Sequence, residues 1–536
     1  MMLYEQVAIP LAVIPIFANV GTAILPAVIA QLTNVIVPLL RPRELLRIVR
    51  RRPLASLSVV VGVVAVVAAI MWLAEGGPQA RADQPQLTLG IDWARVAKEY
   101  IESRRNAPTT APAMATGAAT RRNDQPVVFR YDYTRCGHDG GPVPLALKSR
   151  WRFTSEPGTM FLSSPTVCGD RVYVASCVMD FTGPYGAVFC LDAQRGRPIW
   201  EFSKLDGADC KPFFSSPAVT ADGKYVVIGQ GLHADKDAHL ICLVAQTGKL
   251  HWKIKTPLHI EGSPAIWGDV VVAGAGAVEG ENRKPLPGTD PGFVFAVRIS
   301  DGKQLWKYAV NDPESSPAIG PDGTVYIGSG FQGNAVVALR NGTDEQLKAA
   351  GLERLVWKAP MPYPITGAVT LYGDAVIVGG GNGDYVFADR NPAGVVAALD
   401  ARTGAVRWQK PMPDSVLGAI AVANGRAVCP VRNGHVTVLN VADGSVIWSA
   451  AVNGNNPVLA ACALAGEYVY AVSRDGYMVV FNVADGTVVE RHGINDPSAP
   501  ATEGLCVSSP VVAGGHVYVG SENGGLRCFA GGKNIP

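Results

Sequence analysis

The chain has 536 residues, with 47 basic and 45 acidic side chains and a formal charge of +2. So balanced a charge sets up no overall field of the kind that draws nucleic acid or an acidic substrate. Its 59 glycines and 39 prolines, with 48% apolar residues, suit many short strands joined by tight turns and argue against a helical protein.

Apolar residues dominate from about Val7 to Leu40, interrupted by Pro10, Pro15, Pro26 and Pro38. The stretch is too long and too poor in leading positive charge for a signal peptide. It reads as a first membrane span, with a kinked interfacial helix as the alternative. Arg41, Arg43, Arg47, Arg50, Arg51 and Arg52 follow, and Leu54 to Ala74 then run without a charge, with Trp72 near the far end. That run is long enough to cross about 30 Å of hydrocarbon as a helix. Residues 1–53 therefore read as an apolar segment with a cytoplasmic arginine cluster, 54–74 as a transmembrane helix, and the remainder as extracytoplasmic. Over 75–146 the composition turns to Pro, Ala, Thr and Gln, which predicts a linker, most clearly in APTTAPAMATGAAT at 107–120. Within it, IDWARVAKEYIESRR at 91–105 predicts a short amphipathic helix.

From Trp151 onward one unit recurs. It opens on Ser164-Pro165, Ser216-Pro217, Ser263-Pro264, Ser316-Pro317 and Ser509-Pro510, with Gly367-Ala368, Gly418-Ala419 and Ala460-Ala461 in the same place in three further units. Each opening leads to a short β-branched and aromatic strand such as RVYVAS at 171, VYIGSG at 325 or HVYVGS at 516. A second strand, a Gly turn and a strand with tryptophan follow, as in ICLVAQTGKLHW and VTVLNVADGSVIW. Glu490 replaces the tryptophan in the seventh unit. Internal repetition at this spacing predicts four-stranded propeller blades. The eighth unit lacks its last strand, and LKSRWRF at 147–153 supplies one. The fold predicted is an all-β, eight-bladed propeller over 147–531, closed by its N-terminal strand, with 532–536 as a tail.

The ten cysteines contain no CxxC and no CxxCH, which leaves a zinc ribbon, a thioredoxin-like motif and a covalent haem unsupported. Cys177 and Cys190 fall on what reads as the two arms of one hairpin and are the candidate disulfide, small buried thiols being the alternative.

The run Ala398 to Trp408, ALDARTGAVRW, resembles the Ala-x-Asp-x-x-x-Gly-x-x-x-Trp docking motif of pyrroloquinoline-quinone-like propellers, and degraded copies extend the resemblance from Trp151 to Gly531. It implies that Trp151, Trp200, Trp252, Trp306, Trp357, Trp408 and Trp448 pack between neighbouring blades. The family includes quinoprotein dehydrogenases and non-catalytic propellers, among them the propeller lipoprotein of the outer-membrane protein assembly machine. This chain lacks the vicinal Cys-Cys of many quinoprotein alcohol dehydrogenases, and no Glu/Asn/Asp calcium constellation aligns. Asp192, Asp301 and Asp400 read as turn caps, and the eight histidines show no metal spacing. No catalytic, cofactor-binding or metal residue is assigned, and no cofactor is expected.

Long loops over 179–186, 232–238, 278–291 and 381–394 are expected on one face. There Phe181, Tyr185, Tyr385 and Phe387 are candidate anchors for a partner, and Glu281, Arg283, Lys284, Asp384 and Arg390 candidate determinants of specificity. The resulting expectation is a non-enzymatic scaffold or accessory subunit at a bacterial inner membrane, its propeller on the periplasmic side among other membrane or periplasmic proteins. The alternatives are a membrane-bound quinone-dependent dehydrogenase and an extracytoplasmic ligand-binding or sensor module.

Overall fold

Short runs of β-branched and aromatic residues, each closed by a tight turn, can bury both faces only by stacking sheet on sheet. The computed structural model describes residues 125–535 apart from 157, 180–182, 278–287, 332 and 497–505. Among these residues eight four-stranded antiparallel sheets form; each strand is paired with its sequence neighbour in six of them, and in the first blade the short strand Cys177–Val178 intervenes between the second and third strands. The first runs from Thr166–Cys168 to Pro198–Phe202 and the seventh from Ala463–Ala465 to Val488–Gly493. In the eighth, the strand Val143–Phe153 pairs with the last strand, Gly525–Ile535, so the two ends of the chain share one blade. The ring thereby closes with no unpaired chain end, and the edges that remain are the inner and outer strands of the blades. Both closing strands are longer than expected, reaching back to Val143 and on to Ile535 rather than spanning 147–531.

The innermost strands open two residues after a small residue in every blade: Thr166 after Ser164, Ala218 after Ser216, and so on to Val511 after Ser509. The same count gives Ala368-Val369, Ala419-Ile420 and Ala461-Cys462 in the fifth to seventh blades. The assignment of Gly367-Ala368, Gly418-Ala419 and Ala460-Ala461 is therefore one residue early. Without proline to fix the phase, any small pair fits the pattern equally well.

Each blade carries a one-residue register shift beside its docking position, for example between Cys242 and Leu243 opposite Trp252. Cys190, Cys242, Ala296, Ala338, Ala398 and Val438 pair across from Trp200, Trp252, Trp306, Trp357, Trp408 and Trp448. A small side chain at that position leaves space for the indole. The candidate disulfide is corrected on this ground. Cys190 occupies the small-residue site, Cys177 pairs with Met160 in a separate two-stranded ladder, and both are free, buried thiols.

The linker expected over 75–146 also ends sooner than the sequence suggested. Residues 127–137 cross the inner strands, exchanging two backbone bonds between Val127 and Val219. Tyr133, Thr134, Cys136 and Gly137 then accept in turn from Leu371, Val422, Leu464 and Val512, the middle residues of four successive inner strands. The segment thus satisfies edge N–H groups that would otherwise face the axis unpaired. Between the third and fourth strands of the fourth blade, Ala335–Leu339 and Leu355–Pro360, a short helix forms over Asp344–Ala349, capped by Thr343. No helix among the described residues is long and apolar enough to cross a membrane. The proposed spans, the arginine cluster and the helix at 91–105 lie outside the described residues.

Candidate functional site

The residues just before each inner strand line the propeller axis in two rings. Ser509, Ser164, Ser216, Ser263 and Ser316 form one arc of the first, and Ala368, Ala419 and Ala461 complete it. The serine hydroxyls tie blade to blade: Ser216 Oγ accepts from Ser164 N at 3.0 Å, Ser263 Oγ from Ser216 N at 2.9 Å and Ser316 Oγ from Ser263 N at 2.9 Å. Ser164 Oγ accepts from Ser509 N at 2.9 Å, which carries the chain of bonds across the closure.

Two residues earlier in each unit stands the second ring. Leu162, Phe214, Leu417, Leu459 and Val507 make it apolar and Thr366 contributes a hydroxyl, but the third and fourth blades place Glu261 and Glu314 there, side by side. Phe129 of the crossing segment packs on Ala368, Ala419 and Ala461 and forms the floor. Below it the guanidinium of Arg130 donates to the carbonyls of Pro510 and Cys462, and that of Arg135 to those of Val369, Phe129 and Pro317. Burial lowers both arginines to about 10, so they stay charged at neutral pH with backbone dipoles as their partners. What remains is an axial cavity of about 90 Å³.

Two histidines meet the carboxylates. His233 comes from the loop between the second and third strands of the second blade, and His259 from the crossing to the third blade. His259 is fully buried, and Glu261 and Glu314 are each 8% exposed. Glu314 Oε1 lies 2.8 Å from His259 Nε2 and 3.0 Å from His233 Nδ1, while His233 Nε2 stands 3.5 Å from Glu261 Oε2. One atom from each of His233, His259 and Glu261 fits within 4.8 Å. Burial would push Glu314 up, but the charge and hydrogen bonds of His233, with those of His259, hold it well below the usual carboxylate range. Burial raises Glu261, against the pull of His233 and with the charge of Glu314 adding to the rise. The environment thus separates two neighbouring carboxyl groups in acidity.

This cluster departs from the expectation that the histidines have no metal spacing. They belong to different strands and loops, so their spacing along the chain carries no signal. The repeat itself does carry one, since an aligned column reading Leu, Phe, Glu, Glu, Thr, Leu, Leu, Val breaks its apolar rule at three adjacent blades, two of them with a carboxylate.

The tryptophans reach the next blade. Trp200 Nε1 donates to Ala245 O at 2.9 Å, Trp252 to Ile299 O at 2.6 Å, Trp357 to Ala401 O at 2.9 Å, Trp408 to Val441 O at 2.7 Å and Trp448 to Val483 O at 2.8 Å. Trp151 does the same to Ala193 O at 3.0 Å, and Trp306 reaches Asn341 Oδ1 at 2.9 Å. Asp192, Asp301 and Asp400 accept from turn amides, Asp400 from those of Arg402 and Thr403. Of the loop residues, Tyr385 turns inward, with its ring edge on Phe214 and its hydroxyl donating to Leu417 O, and so lines the cavity. Asp384 also lines it, whereas Phe387 and Arg390 are exposed and Tyr185 is half-buried. Phe181, Glu281, Arg283 and Lys284 lie outside the described residues.

A family model described as the outer membrane protein assembly factor BamB matches residues 148–384 and 353–534. The outer membrane protein assembly factor BamB of Burkholderia pseudomallei (strain K96243) is 25% identical over 319 residues, 57% of this chain and 69% of that one. A quinohemoprotein alcohol dehydrogenase of Pseudomonas putida is 28% identical over 158 residues, 27% of this chain and 20% of the enzyme. The crystal structure of BamB from Moraxella catarrhalis shares the fold, with a TM-score of 0.52 at 17% identity, covering 73% of this chain and 100% of that one.

Proposed function

The chain belongs to the family described as the outer membrane protein assembly factor BamB, and from that premise we propose that it is a non-enzymatic scaffold, a propeller that holds protein partners together at a bacterial membrane. The observation that carries this reading is the filled axis. A quinone-dependent dehydrogenase needs a flat pocket there for a quinone that bears several carboxylates. Small-molecule pockets run to about 300–1,000 Å³, and the axial cavity has about 90 Å³. The charged groups lining it include Glu261, Glu314 and Asp384, of the same sign as such a quinone. Arg130 and Arg135 are committed to backbone carbonyls below the floor. The residues present therefore do not fit the quinone.

The apolar run 54–74 behind its arginine cluster supports an anchor in the inner membrane with the propeller outside the cytoplasm. On the propeller, Met179 and Phe387 are 61% and 66% exposed and supply apolar anchors of the kind that partner surfaces use. The test is to purify the full chain from its native membrane in mild detergent, alongside Phe387→Asp. A scaffold gives a stoichiometric complex that the variant weakens without a change in its own thermal midpoint, and no dye-linked dehydrogenase activity after incubation with pyrroloquinoline quinone and calcium. Activity under those conditions would overturn the reading in favour of the enzyme.

A further inference from the structure

We propose that the axial cluster is a binding site for a divalent metal ion of the zinc class, with His233, His259 and Glu261 as ligands and Glu314 as the carboxylate that orients both imidazoles.

Hydrogen bonding fixes the tautomers. Glu314 Oε1 stands at hydrogen-bond distance from one nitrogen of each ring, at 2.8 Å from His259 Nε2 and 3.0 Å from His233 Nδ1. An ionised carboxylate only accepts, so each ring turns an N–H toward it, and each ring in its neutral form then presents the lone pair of its opposite nitrogen to a cation, whereas without a metal the protonated rings hold Glu314 low by their charge. This is the arrangement by which a carboxylate orients a metal-bound imidazole. On His259 the opposite nitrogen, Nδ1, is buried without a protein partner. Glu261 Oε1 is likewise buried without one. Unpaired polar atoms are costly inside a protein, and here two of them fall in one cluster in which one potential ligand atom from each of His233, His259 and Glu261 lies within 4.8 Å of the others.

Packing of the blades does not call for these groups. The equivalent positions in the other six blades are Leu162, Phe214, Thr366, Leu417, Leu459 and Val507, none of them ionisable, and the same backbone holds them. The orienting contact is also closely backed: a Cβ on Gly276 would stand 2.6 Å from Glu314 Cγ and 2.7 Å from His259 Nε2. The cavity of about 90 Å³ above the floor leaves room for water in the remaining coordination positions. Two imidazoles with one carboxylate suit zinc and its neighbours, whereas calcium takes six to eight oxygens that this cluster does not offer.

The test uses the full-length protein, stripped with a chelator and then titrated with zinc ion alone against a chromophoric competitor, with metal content measured after desalting. Wild type is expected to retain one zinc per chain and to rise in thermal midpoint with zinc. Glu261→Gln is expected to lose retention, and Glu314→Gln to bind about 10–100-fold more weakly. Cobalt(II) in place of zinc reads the coordination directly through its visible absorption. His233 is 44% exposed at its side chain and stands on a loop, so His233→Ala keeps the test alive should the carboxylate variants not fold. Failure of wild type to retain zinc, preference for calcium, or equal retention by wild type and His233→Ala would each overturn the proposal.

Discussion

Gly248 shows how one motif serves two interfaces. Its φ is +69°, and a Cβ there would stand 2.6 Å from the Trp200 ring of the preceding blade. Gly196, Gly302, Gly404, Gly444 and Gly486 meet Trp151, Trp252, Trp357, Trp408 and Trp448 in the same way. Within each motif the glycine receives the previous blade's indole, while the tryptophan four residues on docks against the next blade. Gly248→Ala combines a left-handed backbone with overpacking, and is expected to lower unfolding free energy by about 2 kcal/mol or more, measured by denaturant titration. The cysteines follow the same packing logic. Burial pushes the Cys177 thiol up to about 12 and that of Cys190 up to about 11, so neither holds much thiolate at neutral pH. Both are expected to resist alkylation in the native protein and to label fully once unfolded. A mass two hydrogens short after unfolding without reductant would show them joined instead.

Two elements complete the ring, and each is held by a residue outside the repeat pattern. Glu490, standing where other blades have tryptophan, accepts from the backbone N–H groups of Ala146 and Leu147 in the closing strand and lies 2.9 Å from His492. Ala146 takes a φ of 52°, a costly left-handed turn for a residue with a side chain. Burial would raise Glu490, but the Leu147 amide, His492 and the Ala146 amide together bring it below its ordinary value. A carboxyl group depressed in the fold stabilises above its unfolded value of about 4.3 and loses that contribution as pH falls through the folded value. Glu490→Gln is therefore expected to melt below wild type at pH 7, with the gap closing as pH drops under about 4. A gap that persists at pH 3 would refute the role. In the crossing segment, Arg135→Met removes donors from three carbonyls and is expected to cost about 1–3 kcal/mol in stability. Limited proteolysis should then cut between residues 125 and 142 ahead of the blades.

For the whole molecule, closing a ring of eight blades leaves an axis, and what fills it decides the chemistry available. Here a backbone segment seals one end, a mostly apolar ring narrows the middle, and one quadrant next to Tyr385 carries all four members of the His/Glu cluster. An axis of this size and charge suits an ion and a few waters rather than a planar cofactor.

The blade count, the closing strand and the turn-capping aspartates were legible along the chain, because each rests on short-range chemistry repeated in every unit, while the docking role of the tryptophans came from the family resemblance. Strand alternation, turn glycines and the Gly-to-Trp spacing are read within one unit. Where the local cue weakened, the reading slipped: losing proline in the fifth to seventh blades moved the phase by one residue, and the Pro-, Ala- and Thr-rich stretch before it hid the order of residues 127–137, which carry no repeat pattern of their own. Only the tertiary structure decided the rest. Arg130 meets a carbonyl 332 positions away, and His233 meets a carboxylate 81 positions away. Such contacts arise from ring closure, which brings the starts of all eight units to one axis, and no periodicity within a single unit records which side chains will face each other across it.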